Sequence, residues 1–168
     1  MTVRGLGMDF DIGHAIAPVD LGTGANAGAR LHMRNYGGVA IVAYFAVGTA
    51  GEAITLDVQE HTAAADGTTR DLDVVTTVYT KTEATLDGDE AWAKVTQSAA
   101  SEVTNADWDD ALQGLVVVQV EAESLSDDCE WISVAVPDTG TAHIGCAFYV
   151  MYGLKVQRAP EALAQPNV

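Results

Sequence analysis

Apolar residues in this chain gather into short runs of strand length, separated by turns rich in Asp and Gly. Residues 39–47 read VAIVAYFAV and residues 115–120 read LVVVQV. Runs this continuous predict strands covered on both faces, or central strands of a sandwich. Residues 53–59 behave differently. Ile54, Leu56 and Val58 alternate there with Thr55, Asp57 and Gln59, which predicts a half-exposed strand. Further strands are predicted at 74–80, 91–97, 131–136 and 144–152, with a shorter one at 14–19. Asp66-Gly67 marks a tight turn. About eight strands bounded by Gly, Asp, Asn or Pro predict an all-β fold: an antiparallel β-sandwich, jelly-roll-like.

The two ends read differently from the middle. Gly5, Gly7, Gly13, Gly22, Gly24 and Gly28 crowd the first 28 residues, which predicts an extended N-terminal arm over 1–28. The sandwich domain is expected over 29–156, and a C-terminal tail with Pro160 and Pro166 over 157–168. Within the arm, Met8, Phe10, Ile12 and Ile16 fall at even positions. A period of two places them on one face of an edge strand, so these four are the candidate interface to a neighbouring chain. Removal of residues 1–13 is expected to leave the fold intact.

Charge narrows the range of partners. The chain carries 24 acidic and 8 basic side chains, a net charge of −16. Residues 1–50 are neutral, with Asp9, Asp11 and Asp20 set against Arg4, Arg30 and Arg34, so residues 51–168 hold the whole excess. Nucleic-acid binding needs Lys and Arg to displace counterions, and this balance argues against it. Self-repulsion of this size favours solubility. No apolar run approaches the roughly 20 residues of a membrane helix, and the first residues lack a signal-peptide pattern. Synthesis in the cytoplasm without export is the expectation.

Candidate chemistry is sparse. His14, His32, His61 and His143 sit in no motif with a Ser or Cys and an acid, and no GxSxG elbow occurs. His32 and His61 are expected on the polar faces of their strands. No catalytic residue, metal site or cofactor site is assigned, and the protein is not expected to be an enzyme. Asp87, Asp89 and Glu90, Asp107, Asp109 and Asp110, and Asp127, Asp128 and Glu130 form acidic groups. Calcium takes six to eight oxygens, often from loop carboxylates, but no group has the EF-hand spacing, and solvated turn acids are the simpler reading. The glycine-rich stretch 22–28 lacks the Gly-Lys-Ser/Thr ending of a phosphate loop. Cys129 and Cys146 are expected as free thiols in strands. Of Trp92, Trp108 and Trp131, Trp108 in its acidic loop is expected to be the exposed one, and Trp131 a core residue. An exposed tryptophan platform leaves a carbohydrate-binding module open as a rival.

Residues 17–62, APVDLGTGANAGARLHMRNYGGVAIVAYFAVGTAGEAITLDVQEHT, carry a Pro-Val-Asp-Leu start, a Gly/Asn connector, a strand ending in Asn-Tyr, an apolar strand, and an Ala-Gly-x-x-Ile-Thr-Leu-x-x-Gln strand. Together with AWAKVTQSAA at 91–100 and HIGCAFYVMYGLK at 143–155, this order resembles a group of small tailed-phage virion proteins. The resemblance spans about residues 14–156 and is one of texture, with no site motif. It implies a capsid decoration (cement) protein in the virion, on the outside of the head. The major capsid protein would be its partner, and self-association, as a homotrimer, would accompany it. A tail or head–tail connection component is the alternative virion role.

Overall fold

The computed structural model of the 168-residue chain describes residues 5–108 and 111–166. Both kinds of apolar segment become strands. The eight longer ones are β1 Phe10–Asp20, β4 Gly38–Phe45, β5 Thr55–His61, β7 Val75–Glu83, β8 Ala93–Ala100, β10 Gln113–Glu121, β11 Trp131–Val136 and β12 Ile144–Tyr152. These match the eight segments that the hydrophobic pattern marks. Four short strands add to them: β2 Asn26–Ala27, β3 Leu31–His32, β6 Thr69–Asp71 and β9 Glu102–Thr104. β3 lies in the segment ending in Asn-Tyr that the sequence marks, whereas β2, β6 and β9, of two or three residues, are too short to show a period.

The strands form an antiparallel β-sandwich of two sheets. Sheet A has the order β1-β12-β4-β10-β7-β8. Sheet B has the order β2-β11-β5-β6, with β3 also on β11 and β9 also on β5. The chain passes repeatedly between them, and the step from β8 to β9 is made at Ser101 alone, whose N–H donates to Asp73 Oδ1 at 2.9 Å and whose carbonyl accepts from Val58 at 3.0 Å. The turn at Asp66-Gly67 forms as its residues require: both have positive φ, 55° and 65°, the conformation of the primed hairpin turns.

The core lies between the sheets. Val39, Ile41, Val116, Val118, Tyr149 and Met151 face inward from sheet A, and Leu56, Val58, Ile132 and Val134 from sheet B. Each such side chain contributes about 1.5–3 kcal/mol on burial. Tyr149 also links the layers through a polar contact: its hydroxyl donates to the Ala29 carbonyl at 2.8 Å and accepts from the Val134 N–H at 3.2 Å. These are backbone groups in the gap between β2 and β3, so a side chain from sheet A completes the ladder of sheet B.

The N-terminal region is more integrated than an arm. Phe10–Asp20 pairs with β12 from Phe10↔Tyr152 to Asp20↔Ile144. The buried Asp11 accepts a hydrogen bond from the Tyr36 hydroxyl at 2.8 Å. Deleting residues 1–13 would strip the start of β1 and expose the edge of β12, contrary to the expectation of an unaffected fold. The tail is laid down as well. Arg158 N–H donates to the Gly7 carbonyl at 3.0 Å, and His32 N–H to the Pro166 carbonyl at 2.8 Å.

Candidate docking face

The side chains of Met8, Phe10, Ile12 and Ile16 do not form one face. Asp11, Gly13 and Ala15 point inward along the first half of β1, which leaves Ile12 52% exposed and Phe10 half-buried. A register shift between His14 and Ile16 then reverses the alternation, and Ile16 is turned into the core. Met8 lies outside the strand and is half-buried. A bulge leaves no mark in a hydrophobic pattern, so a strict period of two carried the sequence reading one step too far.

The bulge leaves Ile12 at the rim of a larger surface, the outer face of sheet A. Antiparallel pairing aligns outward side chains across the strands. One row runs His14, Phe148, Val42, Val117, Tyr79, Lys94 through all six. The row beside it runs Ile12, Val150, Ala40, Gln119. The row on the other side runs Cys146, Tyr44, Leu115, Lys81. These three rows hold no carboxylate. Glu121 and Glu83 stand at opposite ends of the face, Glu121 accepting from the Tyr152 hydroxyl at 2.8 Å. In a chain of net charge −16, an apolar sheet face whose ionised groups are lysines is a departure from the rest of the surface.

Trp92 closes this face just before β8 and is 51% exposed. Lys81 Nζ lies 5.2 Å from the centre of its ring, within cation–π range. Tyr79, Trp92, Val117 and Gln119 line an open hollow of about 410 Å³. Trp108, expected to be exposed, is buried instead: its indole Nε1 donates to Thr80 Oγ1 at 3.2 Å and its ring packs against Phe45. Trp131 is buried but not in the core as expected: it stands on the outer side of β11, opposite to Ile132 and Val134, where His32 stacks on it at 4.3 Å. The sequence signal for the face was present in the continuous runs 39–47 and 115–120. Of the two readings of these runs, the central-strand one holds: β4 and β10 lie in the middle of sheet A, covered on the inner side alone.

The other candidate groups resolve into structural roles. His61 stands on the polar side of β5 with Asp57 and Gln59, as expected, and is buried there. Its Nε2 lies 2.7 Å from Ser133 Oγ and its Nδ1 2.9 Å from Thr69 Oγ1. Burial, reinforced by the Arg30 charge, pulls the imidazole down to about 4. A Ser–His contact oriented by a threonine, with an imidazole this weakly basic, lacks the acid that orients a nucleophile's base. His143 is also buried, and burial lowers its pKa. The space it shares with Phe45, Ile54 and Trp108 encloses no room for a ligand.

The acidic groups divide. Asp128 forms a two-point ion pair with Arg70 at 2.6 and 2.7 Å, and Glu130 meets Arg34 and His32, each at 3.3 Å. Glu83, Asp89 and Glu90 bring carboxylate oxygens within 4.8 Å of one another, but Glu90 already accepts from the Asp87 and Gly88 N–H groups. Asp87 is not part of that cluster, and Asp109 and Asp110 lie outside the described residues. Cys129 and Cys146 are free thiols, Cys129 in the turn before β11 and Cys146 on the outer face of β12. No helix of the described residues is long and apolar enough to cross a membrane. No protein-family model, no curated protein and no solved structure matches the chain.

Proposed function

We propose that the protein is a non-catalytic structural component that docks through the outer face of sheet A onto another protein. The observation that carries this reading is the mismatch between sequence and layer count. β4 and β12 are apolar on both faces and β10 adds Leu115 and Val117 to the outer one, whereas a two-layer sandwich covers only the inner face. An apolar patch of this extent on a monomer marks an interaction surface. The tailed-phage resemblance supplies the identity of the partner: the major capsid protein, with this chain as a decoration protein on the virion head. Repetition over a capsid would turn a modest contact into avidity. The carboxylate-rich remainder of the surface would then face solvent and repel released nucleic acid.

The test is occupancy on particles that lack the protein. Wild-type chain is expected to bind at a fixed copy number. A Val117→Asp/Phe148→Asp variant with an unchanged circular-dichroism spectrum is expected to bind about a hundredfold more weakly. Equal occupancy would remove the face from the mechanism, and failure of wild type to bind would remove the capsid.

The hollow beside Trp92 supports a second reading, a carbohydrate platform built from Trp92, Tyr79 and Gln119. Glycan-array binding that disappears on Trp92→Ala and survives Phe148→Asp, outside the hollow, would favour it over protein docking.

A further inference from the structure

A buried polar group nearly always finds a partner. His143, in the residue before β12, does not. It is 2% exposed, and neither ring nitrogen has a hydrogen-bond partner among the described residues. The Ala46 backbone is near enough to favour a proton on the ring but not to take a hydrogen bond from it. What lies on the ring is the loop 46–54 between β4 and β5. Gly48 packs so closely that a β-carbon there would collide with the imidazole. Ile54, Trp108 and Phe45 complete the seat, Phe45 edge-on with ring centres 6.2 Å apart. From 47 to 53 the loop's one hydrogen bond among the described residues is internal: Glu52 N–H donates to the Thr49 carbonyl at 3.3 Å. Val47, Thr49, Ala50, Gly51 and Ala53 are exposed. Contact with a neutral ring, and not hydrogen bonding, holds this loop down.

We propose that His143 is an acid-operated latch: the neutral ring keeps loop 46–54 seated, and a proton on the ring releases it. A charged imidazole with no partner cannot stay away from water, and a loop tied by so little is the part that moves to admit it. Release bares Phe45, Ile54 and Trp108. The surrounding segments 18–24, 43–54, 104–115 and 137–145 contain no Lys or Arg. Their described acids are Asp20, Glu52, Asp107 and Asp138. Asp20 Oδ1 accepts the backbone N–H of His143 at 2.9 Å and of Gly22 at 3.0 Å. Those bonds hold its carboxyl below the usual carboxylate range, so it stays charged and favours the imidazolium. Glu52 is half-buried on the loop itself, Asp107 is exposed at the rim of the seat, and Asp138 is exposed and accepts the Gly140 N–H at 2.8 Å. Burial outweighs these charges and sets the titration below the ordinary histidine range, so the loop stays closed at neutral pH and opens in acid.

Nuclear magnetic resonance on the full chain, titrated from pH 7 to pH 4, tests it. At pH 7 the protons of Gly48 and the His143 ring should show a contact. That contact should be lost as the ring takes up its proton, while the amide shifts of β4 and β10 stay in place. His143→Phe, which fills the seat without a titrating group, should keep the loop seated down to pH 4. Gly48→Val, which forces the loop off the ring, should move the His143 titration up toward about 6.5. A contact that survives protonation, a loop that leaves in His143→Phe as well, or a Gly48→Val chain whose ring titrates with the wild type would overturn the proposal.

Discussion

The outer face of sheet B is polar and internally hydrogen-bonded. Thr55 meets Thr104 at 2.8 Å, Gln59 donates to Asp57 at 2.7 Å, and His61 bridges Ser133 and Thr69. Its large apolar side chain, Trp131, lies under the His32 ring. The outer face of sheet A has the opposite character: Val42, Val117, Phe148 and Tyr79 stand in one row with few polar partners. Both sheets have the same inner task, so the difference lies in how far each outer side is completed within the chain. Sheet B satisfies its outer polar groups internally, and sheet A leaves apolar side chains uncovered.

Acid should affect the two faces unequally, and this is the largest effect expected. The His61 pKa is about 4 in the folded chain, against about 6.5 in the unfolded one. Between those values the unfolded chain binds a proton that the folded chain does not. Stability is therefore complete above about pH 6.5, falls as the pH drops, and levels off below about pH 4, a loss on the order of 3 kcal/mol. His143, lowered by burial, acts in the same sense. Urea midpoints measured across this range should show the slope, and His61→Gln should flatten it. An unchanged slope in the variant would move the effect away from sheet B.

Smaller effects follow from deleting a partner on each face. Ser133→Val leaves His61 Nε2 buried without its hydroxyl and is expected to cost about 1–3 kcal/mol in urea unfolding. Val117→Thr, a change of similar size on the outer face of sheet A, should cost below about 1 kcal/mol. If the two costs proved equal, the faces would not differ in how far each is internally completed. The smallest expected effect is optical. Native protein should enhance the fluorescence of a hydrophobic dye modestly, and Val117→Asp/Phe148→Asp should abolish the enhancement while leaving circular dichroism unchanged. Enhancement that persists in the variant would place the apolar surface elsewhere.

Fold class and strand positions were readable because local chemistry dictates them. β-branched runs, Asp-Gly turns and the alternation at 54–59 need no distant partner to be recognised. Short strands such as β2 and β9 escaped, since β11 and β5 decide their pairing and not their own composition. The bulge after His14 escaped for a related reason: it is set by the fit of β1 on β12, so Ile16 turned from a surface residue into a core one. Trp108 was misread because a polar neighbourhood in sequence says little about what a loop folds over. Its indole reaches Thr80, 28 residues away.

The sequence by itself determined that this chain makes paired strands, that it carries a large negative charge, and that several strands are apolar on both sides. Those properties reside in composition and short-range order. Only the tertiary structure decided which apolar sides were left uncovered and which histidines went inside. Each of these depends on the order in which strands neighbour one another, and strand order is settled by long-range pairing that no short stretch of residues contains.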